Sequence, residues 1–290
     1  MTRKLNLLKK TEAAARRNHI VVSDIHAASK LGLCHPDGHE LDEGGIYSPS
    51  RVQQKMWRWW DEFWGEWVPR VTHNEPYTVV VNGDAIDGDH HNTSTTISRN
   101  STDQVKAGHK ILHPIVEACE GRYDHLRGTE AHSGEAGREE EALAYALGAV
   151  TDEAGRYARF ELYLRCGSEK GRGLVHYTHA IGTSSSSSYE STAVHKELVE
   201  AYSESGRWNL EMPQVVVRSH RHRYYKIEMA SSRGYDIAFV TPSWQLKTPF
   251  VFKLGLKLAP PQLGGCIIRY GDEELHTRAF VKTIERPTEA

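Results

Sequence analysis

The sequence predicts a layered α/β sandwich, and three observations carry that prediction. Short β-branched runs alternate with amphipathic stretches over most of the chain, while the last 70 residues read as antiparallel hairpins. Four of the apolar runs stop at an Asp or a His, as buried strands do when they deliver polar residues at their C-terminal ends. A chain of 290 residues with 39% hydrophobic and 26% charged residues is globular in composition and long enough to bury a core.

The first apolar run is His19–Ser23, followed by a Gly-, Asp- and His-rich loop over about 28–50. Residues 51–68 read as one helix, with Met56, Trp60, Phe63, Trp64 and Trp67 forming an apolar face at i, i+3, i+4 spacing. Five of the seven tryptophans lie there, which fits a helix packed on a sheet better than an aromatic platform for a base or partner. A second buried strand covers Tyr77–Val81, and 103–119 reads as a helix. A short strand follows near 123–127, then a helix over 139–150 whose first-turn acids suit the helix dipole. Strands are expected at 157–165 and 173–179, and the serine run 184–188 reads as a flexible loop. A helix at about 190–205 leads to the strand 214–218 and to hairpins pairing 223–230 with 235–241 and 265–270 with 275–284.

Several function classes are excluded or weakened by composition. No run approaches the roughly 20 apolar residues of a membrane helix. Cys34, Cys119, Cys166 and Cys266 form no CxxC pair and no disulfide spacing, so an intracellular, cytoplasmic and reduced protein is expected. The basic start lacks the apolar core of a secretion signal. The formal charge is −2, yet residues 1–17 carry Arg3, Lys4, Lys9, Lys10, Arg16 and Arg17 against Glu12 alone. Residues 1–18 therefore read as a basic arm, able to touch nucleic acid or simply solvated, preceding one domain over 19–290.

The 17 histidines decide the rest. Asp24-Ile25-His26 follows the first strand, and Gly83-Asp84-Ala85-Ile86-Asp87 follows the second. His179 closes a later strand, and His220-Arg221-His222 follows Val215–Val217. Imidazoles and carboxylates gathered in the crevice above strand ends can hold divalent transition metals. Alternate residues of an extended segment share a face, so Asp24 with His26, and His220 with His222, are each expected to aim at a common centre. Each motif alone is weak, because a strand-end histidine is more often a bonded core residue; the ordered set is strong.

In that order the chain resembles the calcineurin-like metallophosphoesterase superfamily, over about residues 19–245. The resemblance implies an α/β/β/α sandwich of two mixed sheets with a metal site at the strand C-terminal ends. It implies two divalent ions (Mn, Fe, Zn or Ni, with Mn preferred) and hydrolysis of a phosphate ester by a metal-activated hydroxide. By resemblance, Asp24, His26 and His222 bind the first ion, His179 and His220 bind the second, Asp84 bridges both, and Asp87 supports the site. One block departs from the pattern. The family expects G-N-H-[DE], whereas this chain reads Gly128-Thr129-Glu130-Ala131-His132, similar to a G-T-x-x-H variant of phage and prophage members. Thr129 then stands where the family has an Asn ligand, and His132 is expected to protonate the leaving group.

The substrate is read from the flanks. Arg218, Arg221, Arg223, Tyr224, Tyr225 and Lys226 surround the H-x-H pair, and guanidinium forks suit phosphate oxygens. With the basic arm, Arg221 and Arg223 tilt the expectation toward a nucleic-acid phosphodiester, and His91, beside His90, is a candidate substrate contact at the rim. The alternatives are a phosphomonoesterase, or a non-catalytic metal- or nucleic-acid-binding module on the same fold.

Overall fold

The computed structural model describes residues 17–90, 93–168, 171–182, 187–253, 259–271 and 274–285. Thirteen strands are present among them: β1 Asn18–Val22, β2 His39–Glu40, β3 Ile46–Tyr47, β4 Thr78–Asn82, β5 Tyr123–Leu126, β6 Ala158–Arg159, β7 Leu162–Ser168, β8 Gly171–Tyr177, β9 Val215–Arg218, β10 Tyr225–Ser231, β11 Gly234–Val240, β12 Leu263–Gly271 and β13 Glu274–Lys282. The helices are α1 Arg51–Glu62, α2 Val68–Thr72, α3 Ser101–Ala118, α4 Glu130–Ser133, α5 Arg138–Ala146, α6 Glu190–Trp208 and α7 Pro249–Lys253.

Two mixed sheets form the centre. One runs β13-β12-β1-β4-β5-β6, with β1, β4, β5 and β6 parallel and the β12–β13 hairpin antiparallel at its edge. The other runs β10-β11-β9-β8-β7, parallel in the middle and antiparallel at both edges. Alternation along β1 sorts the core: Val21 meets Val175, Tyr177 and Val217 between the sheets, while Ile20 and Val22 meet Met56, Trp60, Ile111 and Leu143 under the helices. Across the second sheet, Val216, Ala238 and Val240 pack against Val194 and Leu198 of α6. The order is therefore helices, sheet, sheet, helix, and burial on both faces explains the unbroken apolar runs.

The tryptophan stripe belongs to the core. Met56, Trp60, Phe63 and Trp67 are buried, and Trp57, Trp59 and Trp64 pack partly buried against them. Helix α1 starts where the sequence implies, because Ser50 and Gln53 form a reciprocal capping box. The helix expected over 51–68 is not uniform, however: residues 63–67 form a π turn in which Val68 N–H donates to Phe63 O. Pro69 has no amide hydrogen to offer the preceding turn and stands in the first turn of α2, where the chain returns to α-helix.

The expected strand 157–165 is two strands in different sheets. It breaks at Phe160 and Glu161, with β6 ending the first sheet and β7 opening the second. Helix α7 and the small β2–β3 ladder have no clear sequence pattern. The basic arm, apart from Arg17 and Asn18, and serines 184–186 lie outside the described residues. Among the described residues, no helix is long and apolar enough to cross a membrane.

Candidate metal centre

Five strands end at one place. Asp24 follows β1, Asp84 follows β4, Thr129 follows β5, His179 follows β8 and His220 follows β9. The chain leaves β1, β4 and β9 by left-handed turns rather than by extension: φ is +50° at Asp24, +47° at His26, +51° at Asp84, +70° at His220 and +55° at His222. Such backbone costs on the order of 1–3 kcal/mol per non-glycine residue, and Asp and His tolerate it better than most. Asp24 and His26 fall in one cluster, though through left-handed backbone, and the expectation of a common centre is corrected for His220 and His222. His220 and His222 lie only two positions apart, yet they join different clusters.

The first cluster is Asp24, His26 and His222, with His222 Nε2 3.1 Å from Asp24 Oδ1 and 3.2 Å from His26 Nε2. The second is Asp84, His179 and His220, with His179 Nε2 3.0 Å from Asp84 Oδ2. Asp84 also groups with His26 and His132, so its carboxylate stands between the two clusters. Asp24 Oδ1 and His179 Nε2 are buried, and each faces only the opposing imidazole or carboxylate of its own cluster at about 3 Å, without a well-formed hydrogen bond. Buried polar atoms of this kind are costly unless something ligates them, and the imidazole–carboxylate set suits divalent transition metals. The residues fit a two-cation centre.

Beneath the clusters, a buried polar chain ties the strand ends together. The Ser23 hydroxyl donates to Asp24 Oδ2 at 2.5 Å and lies 2.6 Å from Thr241 Oγ1. Thr241 donates to Ser219 Oγ at 2.8 Å, and Asn82 Nδ2 donates to the same oxygen at 2.7 Å. His179 Nδ1 donates to Asn82 O at 2.7 Å, which leaves Nε2 to face Asp84. Glu140 of α5 is fully buried and accepts the amide hydrogens of Ala85 and Gly128 at 2.9 and 2.5 Å. The sequence placed the α5 acids at the helix dipole; Glu140 instead clasps two loops of the site. Gly83 is required by contact, since a Cβ there would lie 2.5 Å from His179 Nδ1 and 2.8 Å from Gly128 Cα.

The departing block is well defined. Thr129 donates its backbone N–H to Asp84 Oδ1 at 2.8 Å and its hydroxyl to the same oxygen at 3.2 Å. His132 Nδ1 donates to Asp87 O at 2.5 Å, leaving Nε2 as its available ring nitrogen. Its ring meets His26 edge-on at 4.4 Å and His90 at 4.3 Å. Asp87 Oδ1 lies 3.4 Å from His26 Nδ1, while Thr96 and Gln245 donate to the same carboxylate. Neither Thr96 nor Gln245 carried a sequence signal.

The electrostatics follow from burial and proximity. Burial raises the Asp24 carboxyl, but the His222 and His179 imidazoles more than offset this and hold it at about 2. Asp84 is likewise held well below the usual range by His179 and His132 against its burial. Burial, then repulsion from His132, lowers His26 to about 4. Burial also lowers His179, but Asp84 and Asp24 outweigh it and raise the ring to about 10.

A cavity of about 650 Å³ opens over the clusters. His26, Asp84, Thr129, His132, His220 and His222 line its floor, and Leu246, Pro249, Phe250, Val251, Pro260 and Pro261 form an apolar wall. Arg221 and Arg223 line it too, but both guanidinium groups already bond to the protein. Arg221 donates to Glu190 O and Gly182 O, and Arg223 pairs with Glu190. The remaining basic segment does not surround the site. Arg218 is buried against Glu197 and His176 in a separate cleft, and Lys226 pairs with Glu228. His90 lines the cavity, and His91 lies outside the described residues.

Two mixed sheets lie face to face, with Asp and His side chains gathered at their strand ends. No protein-family model matches the chain, and no curated protein matches it in sequence. Similar solved structures include a conserved uncharacterized protein of Streptococcus pneumoniae, described as a predicted phosphoesterase, at 11% identity and TM-score 0.33 over 92% of this chain and 98% of that one. Vacuolar protein sorting 29 of Cryptosporidium parvum matches at 8% identity and TM-score 0.32, over 92% of this chain and 98% of that one. The sulfate thiohydrolase SoxB of Thermus thermophilus matches at 9% identity and TM-score 0.39, over 92% of this chain and 56% of that one. These likenesses are distant.

Proposed function

We propose that the chain is a metal-dependent phosphoesterase whose centre is built from Asp24, His26, Asp84, His179, His220 and His222. One observation carries this reading: the Asp84 carboxylate groups with His179 and His220 on one side and with His26 and His132 on the other, so it links the second cluster to a member of the first. Divalent cations held by these side chains would supply Lewis acidity for activating water and polarising a phosphoryl oxygen. Manganese is the favoured occupant, on the mixed oxygen and imidazole donor set.

The protein's own groups supply the remainder. Asp87 fixes the His26 ring through Nδ1, and Asn82 O fixes His179 through its Nδ1. Asp87 O holds the Nδ1 proton of His132, so the imidazolium form donates from Nε2 to the departing alkoxide. The apolar wall of the cavity limits bulk water beside the ester. A nucleic-acid phosphodiester is slightly favoured as substrate class, on the basic arm and on Arg221 and Arg223 lining the cavity, which would have to exchange their bonds to Glu190 and Gly182 for phosphate oxygens. The test is metal content per chain together with hydrolysis of bis-p-nitrophenyl phosphate in Mn²⁺. Bound manganese and turnover lost on chelation are expected; bound manganese without hydrolysis of mono- or diesters would make the chain a binding module.

A further inference from the structure

We infer that the apolar wall of the cavity is a base-binding surface, so that an unpaired nucleic-acid strand, and not a duplex, is what lies over the ligand clusters. This rests on the phosphoesterase reading above and narrows its substrate class.

The wall keeps apolar side chains in water beside a polar centre. Helix α7 carries Phe250, Val251 and Phe252 in a row, and none of its residues is buried. Phe250 is 57% exposed and Phe252 49%, and Phe250 and Val251 line the cavity with Leu246, Pro260 and Pro261. An exposed apolar cluster in such a place marks a surface that meets a ligand. At its base the wall is tied to the loops of the centre. Trp244 donates its backbone N–H to Asp24 O at 2.9 Å, and Leu246 donates to Leu31 O at 2.8 Å. Gln245 Nε2 donates to Asp87 Oδ1 at 3.3 Å. A group lying on the wall is therefore held at a set place relative to the clusters.

The cations beside the wall say what that group is attached to. Lys247 and Lys253 line the same cavity, and Lys247 Nζ stands 5.1 Å from the centre of the Phe252 ring. Aromatic faces interleaved with cations suit a chain that alternates flat bases with phosphates, and an aromatic ring accepts any base as a stacking partner. An alkyl ester would use the wall without the lysines, and a small phosphomonoester the lysines without the wall. The cavity of about 650 Å³ falls within the roughly 300–1,000 Å³ of sites that enclose a small molecule, so it takes a nucleotide-sized group. A base within a duplex has both faces covered by its neighbours, so only an unpaired one can lie on Phe250.

The test is anisotropy titration of the full chain in Ca²⁺ with a fluorescein-labelled single strand of about 16 nucleotides, a length that fills a single-strand site, and with the blunt duplex it forms with its complement. Strand integrity is checked on a gel. The single strand should bind at least about tenfold more tightly than the duplex. Phe250→Ala removes one stacking face and should weaken strand binding about tenfold, without altering its salt dependence because no cation is lost. Phe250→Tyr keeps the ring and should bind as the wild type does. Equal affinity for strand and duplex, no strand binding, or a Phe250→Ala affinity within about twofold of wild type would overturn the inference. The phosphoesterase reading fails separately: strand binding that depends on Phe250, with no hydrolysis of bis-p-nitrophenyl phosphate in Mn²⁺, would sink that reading and leave the base-binding surface standing.

Discussion

Glu140 holds Gly128: the buried carboxylate accepts the Gly128 amide hydrogen with one oxygen and that of Ala85 with the other. Through this clasp, helix α5 joins the loop carrying Asp84 to the loop carrying Thr129. Glu140→Ala strands two buried donors, which should cost roughly 2–5 kcal/mol of stability. Urea unfolding measures this. A loss below about 0.5 kcal/mol, the range of ordinary surface changes, would show that the clasp is dispensable.

Asp84→Asn keeps size and removes the shared charge. Loss of bound manganese and of bis-p-nitrophenyl phosphate hydrolysis is expected, as one cation loses its bridge. Turnover above a tenth of wild type would sink the two-cation mechanism.

His132 acts at the leaving group if its Nε2 proton is the one transferred. A basic leaving group needs that proton most, so His132→Ala should slow an alkyl phosphodiester far more than a p-nitrophenyl ester. Equal slowing with a lost ion would reassign His132 to the Asp24-side cluster, where its ring already meets His26.

Replacing Arg221 and Arg223 with Gln tests the polynucleotide substrate. If both hold phosphates, the dependence of binding on salt should flatten while p-nitrophenyl phosphate hydrolysis is nearly unchanged. An unaltered slope would leave these arginines to their bonds with Glu190 and Gly182.

Stability should fall on mild acidification because of His19. Burial between the sheets, opposed only in part by a backbone hydrogen bond, lowers it from 6.5 to about 4. Between those values the unfolded chain binds the extra proton, so stability falls with pH by roughly 3 kcal/mol across the window. Asp124 works in the opposite direction. Burial, partly countered by Arg159, raises it from 3.8 to about 6, and its contribution is lost as pH rises through that value. Melting temperatures from pH 4 to 6.5 should therefore flatten in His19→Gln and steepen in Asp124→Asn. Parallel curves for all three proteins would refute both assignments.

The amino-acid sequence by itself determined the layered class, the tryptophan core, the start of α1 and the residues that end the strands. Each rests on local physics: β-branched runs, helical periodicity, the Ser50–Gln53 capping box, and polar residues where an apolar run stops. Local pattern could not say which side chain joins which cluster, because left-handed turns at Asp24, His26, His220 and His222 leave no periodic trace, and that grouping came from the family resemblance alone. Tertiary structure decided the break at Phe160–Glu161, the inward turn of Glu140, and the Ser23–Thr241–Ser219–Asn82 chain. His26 and His222 are 196 positions apart yet 3.2 Å from each other at Nε2. A sequence pattern records which face of an element is buried; strand order and sheet packing set what that face meets.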